Sequence, residues 1–150
     1  MKLSIATLAF LLGISAPALA GQCSTQNSII SASNSRVGLR ELVRFKIKAP
    51  LTGTVSVTAG NGPTFIEDGS GNPVTVHGNR WTDVVFSGMD WMCSARTHFR
   101  LPKPVIKDIK LIGQFEGRIE YVVGRRNGHY LGKTQTTANG VTTITLKYGP

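Results

Sequence analysis

The chain has 150 residues, 17 Lys and Arg against 8 Asp and Glu, a formal net charge of +9, and 17 glycines. That length fits one domain around a single core, and the charge favours anionic partners over cationic ones. With only two cysteines and no clustered histidines, a structural zinc site, which needs four ligands, is excluded as an expectation.

Lys2, the apolar run from Ile5 to Ile14 and the ending Ala18-Leu19-Ala20 follow the order of a secretory signal. Cleavage is expected between Ala20 and Gly21. The apolar run is too short to cross a hydrocarbon core of about 30 Å as a helix, and no Cys stands at the cleavage point to carry a lipid. A leader over 1–20 and a single domain over 21–150 follow, with a periplasmic or secreted location. Removing Lys2 lowers the net charge from +9 to +8. No later stretch is long and apolar enough to predict a transmembrane segment. Cys23 and Cys93 both fall in the exported part, where an even count predicts one disulfide. Closing that loop stabilises a fold by about 4 kcal/mol on the chain-entropy account.

From Leu42 to Lys48 the residues alternate, with Val43, Phe45 and Ile47 on one face and Arg44, Lys46 and Lys48 on the other, which predicts a half-buried strand. Ala49 to Gly53 breaks the pattern, and Thr54 to Thr58 resumes it as an expected neighbour of the first strand. Phe65 to Val76 reads as a hairpin-like excursion around a Gly-rich turn, and Arg80 to Phe86 as a β-prone run. Met89 to Lys103 lacks a period, with at most a short strand around Thr97 to Leu101. A further strand is predicted over Val105 to Ile112, though neither of its faces is purely apolar. Arg118 to Gly124 is predicted as a strand that turns through Arg125-Arg126-Asn127-Gly128 into a hairpin with Tyr130 to Gln135 as its return strand, and Asn139-Gly140 offers another tight turn before Val141 to Tyr148. No amphipathic helix follows the leader. The pattern predicts an all-β fold, a small β-barrel or β-sandwich of about seven to nine short strands.

Three segments in order carry a resemblance to a known family. They are Leu42 to Ile47 with Asp68-Gly69-Ser70-Gly71-Asn72-Pro73-Val74, then Val84-Val85-Phe86-Ser87-Gly88, then Ile106 to Ile112 with Phe115-Glu116-Gly117 and Tyr121 to Gly124. Together they resemble the AMIN-like domain, a β-barrel domain of bacterial envelope and secreted proteins related to the AMIN module of N-acetylmuramoyl-L-alanine amidases, over about 42–148. The resemblance implies that Asp68, Gly69, Gly71, Pro73, Phe115, Glu116 and Gly117 shape the framework. It also implies recognition of peptidoglycan or of a cell-wall protein. Arg40-Glu41 stands where the family usually has an Asp-Arg pair, and Asn139-Gly140-Val141-Thr142 replaces its Pro and Arg before the last strand.

An enzyme needs converging acid, base or nucleophile groups. His77, His98 and His129 are scattered without metal-ligand spacing, and no nucleophile elbow or phosphate loop is present. Glu116 is expected to accept backbone hydrogen bonds at its turn. No catalytic site, metal or cofactor is therefore expected, and a wall hydrolase would require Glu67, Asp68, Glu116 and Glu120 to meet in one cleft. The candidate ligand-binding residues are Arg44, Lys46 and Lys48 on the first strand and Arg96, Arg100 and Lys103 close to Trp91, because cations beside an aromatic ring suit carboxylates and sugar rings. The competing reading has Trp81 and Trp91 filling the core and the cations forming a solvated edge that blocks aggregation. The expected partner is peptidoglycan, another anionic envelope polymer or an envelope protein, with nucleic acid not expected. The alternative function is a secreted protein-binding inhibitor or adhesion factor.

Overall fold

The computed structural model describes residues 26–90, 98–100 and 104–150. The expected leader and the expected Cys23–Cys93 bridge lie outside those residues. Among the described residues there are eleven strands and no helix: β1 (Ile29–Val37), β2 (Arg40–Lys48), β3 (Thr54–Gly60), β4 (Thr64–Ile66), β5 (Pro73–Thr75), β6 (Arg80–Ser87), β7 (His98–Arg100), β8 (Ile106–Phe115), β9 (Arg118–Arg125), β10 (His129–Ala138) and β11 (Val141–Gly149). They form a four-stranded sheet in the order β1-β2-β11-β10, a five-stranded sheet in the order β3-β6-β9-β8-β7, and the β4-β5 hairpin, all antiparallel.

The two larger sheets share one core, which makes the fold a β-sandwich. Val43, Phe45 and Ile47 of β2 and Ile144 and Leu146 of β11 meet Val84 and Phe86 of β6 and Ile119, Tyr121 and Val123 of β9, all essentially excluded from solvent. Phe45 lies at the centre, its ring 5.0 Å from Phe86 and 4.9 Å from Tyr121 across the interface. Such offset aromatic contacts add about 0.5–1.5 kcal/mol each beyond the area they bury.

The alternation in β2, the excursion that became β4-β5, the short β7 and the Asn139-Gly140 turn follow the sequence expectation. Asn139 and Gly140 take φ values of 50° and 72°, the left-handed pair that a two-residue hairpin needs. The hairpin expected through Asn127-Gly128 does not form: that segment carries the chain between sheets, β9 pairing with β6 and β8 and β10 with β11. Three further expectations are corrected. β1 was not anticipated, because Ile-Ile-Ser-Ala-Ser-Asn-Ser-Arg-Val is serine-rich and buries little beyond Ile29 and Ala32. β2 and β3 do not pair: β2 lies between β1 and β11, and β3 pairs with β6 in the other sheet. Trp81 does not fill the main core but caps a smaller cluster of Val76, Ile112 and Val122 beneath the β4-β5 hairpin, donating its indole N–H to the Val76 carbonyl at 2.9 Å. The uncertain faces of β8 have a cause too: its register shifts twice, after Ile106 and after Leu111, so no single alternation runs through it.

Three buried polar side chains tie these layers together. Asn27 sits at the start of β1, where its amide donates to the Gly88 carbonyl at 2.6 Å and its Oδ1 accepts from the Thr52 and Gly53 N–H groups. That hub holds the β2–β3 connection as it crosses between sheets. Asp108, fully buried, accepts from the His77 N–H and from the His98 ring. Glu41, on the inward face of β2, accepts from the Val105 and Ile106 N–H groups at 3.1 and 2.7 Å and so links the four-stranded sheet to the entry of β8. Glu41→Leu leaves two buried donors without an acceptor, and a loss of about 2–4 kcal/mol is expected in urea unfolding. A loss below about 0.5 kcal/mol would show that water reaches those donors.

Candidate functional site

In the four-stranded sheet, every second residue points away from the core. The register sets these residues in rows across the strands: Ser31, Lys46, Thr143 and Thr136; then Ser33, Arg44, Thr145 and Thr134; then Ser35, Leu42, Lys147 and Gly132. The result is a surface whose middle strand carries Arg44, Lys46 and Lys48; Arg44 and Lys46 are flanked on both sides by hydroxyls, and Lys48 pairs with Val141. Successive cations on β2 lie about 6.8 Å apart, the two-residue repeat of an antiparallel strand.

Burial differs along the row. Lys46 is exposed, whereas Arg44 and Lys48 are half-buried. On a middle strand the neighbours' side chains cover part of the long aliphatic stems. Arg44 is positioned further by a hydrogen bond from Nη1 to the Ser35 hydroxyl, and Lys147 extends the positive surface on the adjacent β11.

Of the second half of the expected basic site only Arg100 is among the described residues. Arg100 belongs to β7, at the edge of the five-stranded sheet, while Trp91, Arg96 and Lys103 lie outside the described residues. The structure therefore keeps the Arg44, Lys46 and Lys48 group together and separates it from Arg100.

A different pair of motifs converges. Asp68 and Gly69 of the turn between β4 and β5 meet Phe115, Glu116 and Arg118 of the β8–β9 hairpin around a cleft of about 480 Å³. The hairpin turns through Glu116 and Gly117, with φ values of 45° and 77°. Among the described residues no backbone group donates to the Glu116 carboxylate, so its expected role as a turn acceptor is corrected: it lines the cleft. Within the Asp68 turn, Gly69 and Gly71 have φ of 91° and 70°, Gly71 N–H donates to the Glu67 carbonyl, and Ser70 donates to the Glu67 carboxylate at 2.6 Å. Pro73 opens β5, an edge position that needs no N–H.

Arg118 organises the acids here. It lies 2.7 Å from Glu120 and 3.4 Å from Asp68, and Asp83 on β6 lies on the same outer face of the sheet. Burial raises the pKa of both Asp83 and Glu120, only partly opposed by Arg118. A carboxyl that holds its proton more tightly folded than unfolded contributes stability below the ordinary carboxylate range. That contribution is lost as pH rises through the raised value. Asp83→Asn is accordingly expected to raise stability at pH 7, by no more than about 1 kcal/mol given the solvent screening at this surface, and to change little at pH 3. Destabilisation at pH 7 in thermal unfolding would contradict this.

Among the described residues no group of three or more His, Cys, Asp or Glu is placed to hold a metal ion, and no helix is long and apolar enough to cross a membrane. His77 and His129 are exposed, and His98 is paired with Asp108 at 2.8 Å. Comparison of the chain with protein-family models, with curated proteins and with solved structures finds no match.

Proposed function

We propose that this is a non-catalytic, exported envelope module that binds an anionic wall polymer, peptidoglycan in the first instance, through the outer face of the four-stranded sheet. The observation that carries the reading is the regular row of Arg44, Lys46 and Lys48 bordered by Ser31, Ser33, Thr143 and Thr145. Cations held at a fixed repeat meet the carboxylates of stem peptides, and the flanking hydroxyls donate to and accept from sugar and peptide groups. The signal-like leader and the net positive charge support the same setting, as does the resemblance to AMIN-like domains.

Co-sedimentation of the exported chain with purified sacculi tests it, with retention expected at low salt and none at high salt. Absence of retention at low salt would sink the proposal. The same assay reads out the hydrolase alternative, because the acids that reading requires are not dispersed: Asp68 and Glu116 share one cleft and Glu120 is joined to it through Arg118. Soluble fragments released over time would replace the binding module by a hydrolase. Retention without release is the expected result.

A further inference from the structure

One end of the sandwich has a character the wall-binding face does not explain. The β1–β2 turn exposes Val37 and Leu39, at 62% and 70% of their full surface. Val37 pairs with Arg40, and Arg40 lies beside Gly149 of β11. Leu131, 49% exposed, occupies the bulge of β10 and lies over Gly149, where a Cβ would stand 2.9 Å from its Cδ1. Three large apolar side chains thus stand at one end of the outer face.

Cations surround them. Arg36 is held at the turn by its Nε–H donating to the Gly38 carbonyl at 2.9 Å, and Arg40 is exposed between Val37 and Gly149. The loop after β9 reaches the same end, since Gly128 abuts the Gly149 carbonyl, and it brings exposed Arg126. Arg80, also exposed, is paired with Arg125 at the end of β9. Glu41 and Asp108 near this end are buried and hydrogen-bonded. The exposed acids sit at the opposite end: Asp68 and Glu116 around the β8–β9 turn and Asp90 beside Asn27, with half-buried Glu67 in the neighbouring turn.

We infer that this end is a membrane-docking tip, with Val37, Leu39 and Leu131 entering the interface of an anionic lipid bilayer while Arg36, Arg40, Arg80 and Arg126 meet its headgroups. Apolar side chains ringed by cations match the depth profile of such a surface, apolar below the headgroups and negative at them. The charge separation along the strands sets the orientation, drawing the basic tip down and holding the acidic end away. The inference is independent of the wall-polymer reading, which uses the middle of the sheet.

The test is co-sedimentation of the exported chain with vesicles of phosphatidylcholine alone and of phosphatidylcholine with phosphatidylglycerol, alongside a Val37→Ser/Leu39→Ser variant. Val37 is the exposed last residue of β1 and Leu39 an exposed turn residue, so the variant keeps its unfolding midpoint within about 2 °C. Expected are binding to anionic vesicles only, a loss of at least tenfold in partitioning for the variant, and unchanged retention of the variant on sacculi. No binding of the unaltered chain to anionic vesicles overturns the inference, and so does equal binding by the variant, which would assign the association to charge elsewhere. Self-association without lipid that the variant abolishes would also overturn it, in favour of a second copy as the occupant.

Discussion

Replacing Arg44, Lys46 and Lys48 together by Gln is expected to lower retention on sacculi by roughly ten- to a hundredfold at low salt, with no change in fold. Each exposed cation facing an anionic group contributes on the order of 0.5–1 kcal/mol, and three acting along one polymer sum to about 1.5–3 kcal/mol, or one to two decades. The outward placement of all three makes the variant a clean probe. Their β2 neighbours Val43, Phe45 and Ile47 supply the core, so the substitutions leave the core untouched and remove only surface contacts such as the Arg44–Ser35 hydrogen bond. A control variant in the other sheet, Lys110→Gln, removes one cation, whose Nζ donates to the Thr75 carbonyl, and should leave retention unaltered. An equal loss per charge removed in both variants would mean that net charge, not the row, is being read.

The second large effect concerns the expected disulfide. Asn27 follows Cys23 by four residues, Asp90 precedes Cys93 by three, and the Asp90 N–H donates to the Asn27 carbonyl at 3.2 Å. Four and three residues reach at most about 14 and 11 Å, so the Asn27–Asp90 contact is compatible with the expected bond. Substituting Ser at both cysteines is expected to cost about 4 kcal/mol, a fall of roughly 10–20 °C in the unfolding midpoint. Mass spectrometry of the native protein supplies the direct check, with a mass two hydrogen atoms below the reduced form expected. Free thiols in that protein, or an unchanged midpoint after reduction, would contradict the bridge.

Much of the fold was legible because alternation, glycine turns and Asn-Gly pairs are local signals. Val43, Phe45 and Ile47 announced their strand, and Asn139-Gly140 announced its turn. β1 was not legible because an edge strand of serines buries so little that its sequence resembles a loop. The pairing of β3 with β6 was not legible either, since the connection that carries it across the sandwich is held by Asn27, whose buried contacts are all long-range.

Glu41 is a different case, because the signal was present. It occupies the inward parity of β2, with Val43, Phe45 and Ile47, and a charged residue on an apolar face asks for a buried partner. The partners, two backbone N–H groups more than sixty positions away, were not in the local sequence.

The site divides in the same way. Arg44, Lys46 and Lys48 form one surface because β2 is a single regular strand, and strand parity alone places them together. Their hydroxyl neighbours on β1 and β11 come from register, which the sequence of β2 does not contain. The convergence of Asp68 with Phe115, Glu116 and Arg118 likewise depends on how the β4-β5 hairpin folds over the five-stranded sheet.

Chemical-shift mapping with soluble peptidoglycan fragments tests the central claim most directly. The account predicts perturbations at Ser31, Ser33, Arg44, Lys46, Thr143 and Thr145, on the outer face of the four-stranded sheet. Perturbations centred on Asp68, Phe115 and Arg118 instead, or none at fragment concentrations that compete with sacculi, would contradict it.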